Sequence, residues 1–352
     1  MPTKKWMIYG ANGYTGELIA REAQKRNLQP ILAGRDQPVV SALARELGCE
    51  FRIFTLDSPA YMIDALSQVD LVLHCAGPFS TTSEPMVNAC LAAKTHYLDI
   101  TGEIEVFESI RRQHDFAVKR GIFLMPGVGF DVVPTDCLAL NLKKFLPDAT
   151  HLILAFDAEG RPSKGTAQTM IEGLKVGGRI RENGVIKQVP LAYKVREIPF
   201  PHGTKMAATI PWGDVSTAYY TTGIPNIEVY KAFSKSEITK MKLARPLRSL
   251  LGSNAVQTYL KNKIASHSRG PDVVERVNTK CYIWGEVSDA AGKKKTAQMI
   301  TPNGYVVTVH AALGIVEYLL KYEIEPGVRT PAEVMGEHFV RTLPGVEMRV
   351  GE

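Results

Sequence analysis

The sequence is poor in the features that several function classes need. Its five cysteines, Cys49, Cys75, Cys90, Cys137 and Cys281, are odd in number and widely spaced. No C-x-x-C pair or Cys/His cluster occurs, so neither a disulfide framework nor a zinc site is expected, and no metal ligand is nominated. Reduced, mostly buried thiols suit a cytoplasmic protein. No apolar run approaches the roughly 20 residues that span a bilayer. Lys4-Lys5 lead straight into an apolar stretch, which leaves no room for a signal peptide. A net charge of only +6 gives no reason to expect nucleic acid as a partner. What remains, 45% hydrophobic and 22% charged over 352 residues, is the composition of a soluble globular protein with length enough for two cores.

The most telling stretch that is present is Gly10-Ala11-Asn12-Gly13-Tyr14-Thr15-Gly16, directly after the apolar run Trp6–Tyr9. A strand, a glycine turn and a helix in succession cradle the pyrophosphate of a dinucleotide. Gly10 permits the tight turn, Gly13 lets main-chain N–H groups approach the phosphates, and Gly16 lets the helix pack close to the sheet. The anion then sits on the positive end of the helix that starts near Thr15. The first two glycines are two residues apart rather than the one of G-x-G-x-x-G, so an ordinary strand-to-helix turn is the alternative. A second strand, Pro30–Ala33, runs into Gly34-Arg35-Asp36. An acidic residue at that tip would bind the ribose 2′-OH of NAD. Arg35 stands there instead, and a guanidinium suits a 2′-phosphate, which favours NADP(H), with NADPH preferred over NADH. Asp36 lies one position on, and a solvated surface arginine is the alternative reading.

The first 145 or so residues alternate strands and helices. Strands are expected at Trp6–Tyr9, Pro30–Ala33, Glu50–Phe54, Asp70–Cys75, His96–Asp99 and Ile122–Met125, with helices at Gly13–Arg26, Pro38–Leu47, Ser58–Leu66, Glu84–Ala93 and Glu103–Arg120. This pattern predicts a doubly wound parallel α/β sheet. A further helix, Val133–Phe145, leaves it. After about Ala149 the pattern becomes mixed α+β, with strands at Leu152–Phe156, Val185–Val189, Lys205–Ile210 and Glu228–Lys231, and a hairpin of Arg276–Val287 and Lys294–Ile300 around Asp289-Ala290-Ala291-Gly292. A long helix, Gly304–Lys321, is expected to return to the first domain. The expected division is 1–149 for dinucleotide binding, 150–302 for an inserted substrate or dimerisation domain, and 303–352 for the returning helix and tail.

Ligands of open parallel sheets bind at the carboxyl ends of the strands. Three such ends carry unusual residues: His74-Cys75-Ala76-Gly77-Pro78-Phe79, Tyr97-Leu98-Asp99-Ile100-Thr101-Gly102-Glu103, and Pro126 to Asp136 with Gly127, Gly129, Phe130, Asp131 and Pro134. Together with Gly10/Gly13/Gly16 and Gly34-Arg35, these strings resemble the saccharopine dehydrogenase-like oxidoreductases, whose features are G-x-x-G-x-x-G, G-R, A-G-P-F, Y-x-D-x-x-G-E and G-F-D-x-x-P-x-D. Ser163-Lys164-Gly165-Thr166 resembles the family's S-G-G-T element, with Lys164 as a departure. Tyr305 and Thr330-Pro331-Ala332 fit as well. The resemblance touches nearly the whole chain. It implies a Rossmann domain with an inserted second domain and NADP-linked redox chemistry, and leaves the substrate open.

Hydride transfer to nicotinamide needs a proton donor or acceptor and groups that hold the substrate. Asp99, Glu103, Asp131 and Tyr305 are the catalytic candidates. Gly10, Asn12, Gly13, Tyr14, Thr15, Gly16, Arg35, Ala76, Gly77, Pro78 and Phe79 are the cofactor-binding candidates. Asp99 and Glu103 could instead cap a helix, Asp131 could brace its own loop, and His74 and Cys75 read as core residues. Lys164, Thr166 and Tyr305 could grip a carboxylate or phosphate, or simply face water. Tyr259…Lys263 has the Tyr-x-x-x-Lys spacing of short-chain dehydrogenases, but outside the dinucleotide domain, so that class is set aside. The expected function is NADP(H)-dependent hydride transfer to or from an imine, carbonyl or enoyl group of a small molecule, entering between the domains of a homodimer. Two rivals stand beside it. One is a non-catalytic NADP(H)-binding sensor or scaffold. The other is a lipid-associated protein using the basic Lys231–Lys263 segment, for which a solvated face or a dimer interface is the commoner explanation.

Overall fold

Short runs without a polar face become central strands. In the computed structural model, which describes residues 4–247, 253, 256–258 and 270–351, β1 (Trp6–Tyr9) and β2 (Ile31–Gly34) are buried along their whole length. After the edge strand β3 (Phe51–Ile53), the same holds for β4 (Leu71–His74). Parallel strands covered on both faces require this. They alternate with α1 (Tyr14–Lys25), α2 (Gln37–Leu47), α3 (Pro59–Leu66) and α4 (Phe79–Ala93), and the alternation goes on through β5 (His96–Asp99), α5 (Ile104–Arg111), α6 (His114–Arg120) and β6 (Phe123–Met125). The strand order is β3-β2-β1-β4-β5-β6, all parallel, as in a doubly wound Rossmann-type sheet. The order reverses at β1, between β2 and β4, which opens the ligand crevice at their carboxyl ends. One core cluster under the sheet includes Met7, Tyr9, Met62, Leu66, Val72, Met86, Cys90, Tyr97 and Leu124.

Two expected helices differ. The stretch 103–120 is broken in two, because the Gln113 N–H reaches back only three residues to the Ile110 carbonyl. His114 then turns inward, and its Nδ1 accepts from Val328 N at 3.1 Å. Helix α4 starts at Phe79 rather than Glu84 and runs through Pro85. Its first turn is held from outside, since Phe79 N donates to Glu103 Oε1 at 3.1 Å.

The chain then forms a second compact unit, 134–307 together with the residues from Gly336 on, while Thr308–Met335 belong to the first. It opens with most of α7 (Val133–Phe145) and continues through β7 (His151–Ala158), α8 (Lys164–Val176), β8 (Gly178–Glu182), β9 (Val185–Val189), β10 (Val195–Phe200), β11 (Gly203–Thr209), α9 (Asp214–Thr222), β12 (Asn226–Ala232) and α10 (Lys235–Leu243). Then come α11 (Val273–Asn278), β13 (Lys280–Ser288), β14 (Lys294–Pro302) and α12 (Gly304–Lys321), followed by β15 (Gly327–Val328), α13 (Pro331–Met335) and β16 (Glu347–Val350). The mixed sheet is ordered β10-β11-β12-β7-β13-β14-β16, with the β8–β9 hairpin attached to β12. The central strand β7 pairs parallel to β12 and antiparallel to β13. Leu138 and Leu142 of α7 crowd Gly285 of β13, where a Cβ would meet them at 3.0 and 2.9 Å.

Three expectations are corrected here. The tail does not all return to the first unit: β15 joins β6, but β16 pairs with β14 in the second sheet. The hairpin strands are Lys280–Ser288 and Lys294–Pro302, because Asp272 caps a helix at Val273–Asn278 by accepting from Glu275 N. The basic segment from Lys231 is not one continuous face but is divided among separate elements. Lys231 lies in β12, Lys235–Leu243 is a separate helix opened by the Ser234/Glu237 capping box, and Arg245 donates to the Leu191 and Ala192 carbonyls. Arg248, Tyr259, Lys261 and Lys263 lie outside the described residues. Helix α12 is long and apolar enough to cross a membrane by length and composition, unlike any run expected from the sequence. Its Ala311, Ala312, Leu313, Ile315 and Val316 are fully buried within the protein.

Candidate functional site

The turn after β1 is built by its glycines. Gly10 takes φ +81°, a left-handed conformation, and a Cβ there would lie 2.7 Å from Ala76 N. Its N–H and that of Ala11 both donate to the Ala33 carbonyl, at 2.8 and 3.1 Å, which ties the turn to β2. A Cβ at Gly16 would come within 2.2 Å of the Gly10 carbonyl, so α1 can rest on the turn only with glycine there. Gly13 is different: a Cβ would meet only Gly10 O, at 3.2 Å. It is the N-cap of α1 and brings no side-chain oxygen to the first turn. The N-cap of α1 therefore brings no side-chain acceptor, and Glu17, the acid of the first turn, accepts from Arg21 Nε at 2.9 Å, an arrangement that suits an external anion.

Beside this turn, the Asn12 side chain lies against Gly34, where a Cβ would sit 3.0 Å from Asn12 Oδ1. Arg35 is exposed at the end of β2. Asp36, the residue that could confuse the cofactor reading, is the N-cap of α2, and its Oδ1 accepts from Val39 N at 3.3 Å. The acid is thus turned to its own helix, and Arg35 is the charged group at the strand tip. Tyr9, whose phenol burial pushes up to about 12, donates to the Phe54 carbonyl at 3.2 Å.

The acids at the ends of β5 and β6 face each other's loops. Asp99 is fully buried: Oδ2 accepts from Tyr97 OH at 2.7 Å, and Oδ1 accepts from Thr101 N at 2.9 Å and Gly127 N at 2.8 Å. Burial pushes its pKa up to about 6, although the three donors pull the other way. Glu103 reaches from the end of the β5 loop to the first N–H of α4. Asp131 lies against Gly102, where a Cβ would be 2.6 Å from its Oδ2. The loop carrying Asp131 is held by Phe130 N donating to Thr308 Oγ1 at 3.0 Å. Thr308 is absent from the sequence-derived candidates, being 178 residues from its partner. These bonds bring Asp99, Glu103 and Asp131 together as a braced set of loops at the carboxyl ends of β4, β5 and β6.

Tyr305 belongs to the second unit. Its hydroxyl accepts from Ser163 N at 2.6 Å and shares a hydrogen bond with Thr166 Oγ1 at 3.0 Å, while its N–H donates to Asn303 Oδ1. Ser163 is the N-cap of α8, and Lys164 and Thr166 are exposed on its first turn. Burial, with Asp99 nearby, pushes the Cys75 thiol far up, so it carries no thiolate. His74 is wholly buried and pushed down to about 3 by burial, hence neutral. Among the described residues, no group of three or more His, Cys, Asp or Glu could hold a metal ion.

Comparison with known proteins places the first unit in context. Residues 6–125 match the saccharopine dehydrogenase NADP binding domain. The saccharopine dehydrogenase-like oxidoreductase of Mus musculus is 31% identical over 150 residues, which are 37% of this chain and 35% of that protein. The trans-acting enoyl reductase of Mycobacterium ulcerans is 26% identical over 217 residues, 57% of this chain and 50% of its own. The matched part thus spans a third to a half of these relatives. In fold, the apo saccharopine dehydrogenase (L-Glu forming) of Saccharomyces cerevisiae covers 99% of this chain and 100% of its own at a TM-score of 0.65, with 12% identity. Over residues 6–125 the chain thus matches the saccharopine dehydrogenase NADP binding domain, and it is similar to the saccharopine dehydrogenase-like oxidoreductases.

Proposed function

We propose that the protein binds NADP(H) in preference to NAD(H) and is an oxidoreductase acting on an imine, carbonyl or enoyl group of a small molecule. The observation that supports this most is the uncapped amino end of α1 over Gly13, with exposed Arg35 beside it and Asp36 engaged in capping α2. Main-chain N–H groups of the first turn of α1, reached across Gly13, would hold the diphosphate, and Arg35 would meet the 2′-phosphate. When bound, NADP(H) supplies or accepts the hydride. Ala76–Phe79 would line the nicotinamide side, and Asp99, Glu103, Asp131 and Tyr305 are the groups proposed to hold or protonate the substrate. The enoyl option draws support from the similarity to a trans-acting enoyl reductase.

Fluorescence titration of NADPH and NADH against the wild type, Gly13→Val and Arg35→Ala tests this reading. NADPH should bind more tightly than NADH, Gly13→Val should abolish both, and Arg35→Ala should weaken NADPH about tenfold while leaving NADH unchanged. Absence of binding by the wild type, or normal binding by Gly13→Val, overturns it.

The internal bonds of Asp99 and Glu103 favour a second reading, a non-catalytic NADP(H)-binding protein. Tight NADPH binding with no oxidation across imine, ketone and enoyl substrates would select it.

A further inference from the structure

Thr82 lies one turn into α4, with its Oγ1 2.7 Å from the Ala76 carbonyl, 3.1 Å from the Pro78 carbonyl and 3.1 Å from His74 Nε2. Two of these three neighbours are carbonyl oxygens and can only accept. The hydroxyl has one proton. Sending it to His74 would leave two oxygens facing each other at 2.7 Å with no hydrogen between them. The proton therefore goes to Ala76 O, and His74 donates from Nε2 to Thr82. His74 Nδ1 then carries a lone pair that is buried and has no partner among the described residues. The ring sits among Tyr9, Phe79 and Tyr97, with centroids 5.6, 5.3 and 6.2 Å away. An unpartnered buried acceptor is costly, and an apolar side chain could occupy this aromatic enclosure without that cost. What the imidazole adds is the bond to Thr82.

That bond has a consequence at the surface. In a trans peptide the C=O and the following N–H point in opposite directions. With the Ala76 carbonyl drawn inward to Thr82, the N–H of exposed Gly77 is turned outward. Pro78 has no N–H, and Phe79 N is taken by Glu103. Ala76 also packs on the phosphate turn, occupying the place of a Gly10 Cβ.

We infer that His74 and Thr82 are positioning residues that turn the Gly77 N–H outward as a donor to an acceptor oxygen on the nicotinamide-ribose half of the bound dinucleotide. This rests on the cofactor reading above. Thr82→Val keeps the shape and removes the hydroxyl; Thr82→Ser restores it. The probes are NADPH and adenosine 2′,5′-bisphosphate, which lacks the nicotinamide half. Thr82→Val should weaken NADPH about three- to tenfold, the worth of one hydrogen bond. It should leave the bisphosphate unchanged, and Thr82→Ser should bind both like the wild type. Equal loss for both probes means general damage to the fold and overturns the inference, as does unchanged NADPH affinity in Thr82→Val. If the wild type binds neither probe, the cofactor reading itself fails. Should Thr82→Val not fold, ¹⁵N-histidine spectra of the wild type decide. Two histidines should stay neutral down to pH 5 with the proton on Nε2, His74 and His96, whose Nδ1 accepts from Phe123 N; one such signal should remain in His96→Gln, and finding none there overturns the inference.

Discussion

The turn after β1 and the loops after β5 and β6 sit along the same edge of one sheet and use polar groups in opposite ways. The first is almost bare of side-chain chemistry, and its proposed use lies in main-chain N–H groups at a helix end whose N-cap, Gly13, makes no side-chain bond. The second is rich in carboxylates, and these are spent within the protein: Asp99 on Tyr97, Thr101 and Gly127, Glu103 on Phe79, Asp131 packed against Gly102. An acid at a strand end is therefore not by itself a mark of acid–base chemistry. Here the carboxylates brace three loops, while the surface proposed to receive the diphosphate is made where side chains are missing.

The largest effect that could break this contrast belongs to Asp99. Asp99→Ala leaves three buried donors unpaired and should lower unfolding free energy by about 3–5 kcal/mol, read by urea denaturation. Asp99→Asn should cost less and change the pH dependence. The folded carboxyl titrates near 6, above its ordinary 3.8. Its contribution is thus fully present below pH 3.8 and is lost as pH rises through about 6. The wild type minus Asp99→Asn difference should fall across that window. His74 has the opposite sign: held near 3 rather than 6.5, its contribution is present above pH 6.5 and is lost as pH falls toward 3. A flat difference curve for Asp99→Asn would mean that the carboxylate is solvated and free for chemistry.

Next in size is the separation of the glycines. Gly16→Ala drives a Cβ to 2.2 Å from a carbonyl oxygen and should cost about 2–4 kcal/mol of stability. Gly13→Ala meets one atom at 3.2 Å and should cost less than about 1 kcal/mol. Equal melting temperatures for the two would show that α1 does not rest on the turn as described.

The same contrast explains what the sequence made legible. The α/β sheet could be read because its strands, the edge strand β3 apart, are short buried runs followed by helices, a purely local signal. The glycine turn could be read because its geometry forbids other residues at Gly10 and Gly16. Glu103 was legible as a helix-capping acid, but its partner was not: it caps α4, the preceding helix, rather than the one it starts. Thr82 and Thr308 were invisible, since a threonine in a helix has no pattern until the fold brings a carbonyl or a loop N–H to it. The second unit resisted for a related reason. Strand β9 was legible at its own bounds, Val185–Val189, but its hairpin partner β8, β10 with Pro199 and the edge strand β16 were not. Strand β16 is only four residues long, and its partner β14 lies some fifty residues back in the chain.

The smallest expected effect discriminates most finely. Glu103→Gln preserves an Oε1 acceptor for Phe79 N and removes only the charge. If Glu103 serves to start α4, stability should change by less than about 1 kcal/mol, because an amide oxygen still accepts the bond. NADPH affinity should stay within about twofold by the same argument. Turnover on a substrate, once one is found, should then fall by no more than a few fold. A general acid or base lost at this position would instead cost about 10²–10⁴ in kcat with unchanged affinity. The kcat of this one variant, measured beside its melting temperature, therefore places Glu103 either with the braces, as its bond to α4 indicates, or among the groups that move a proton.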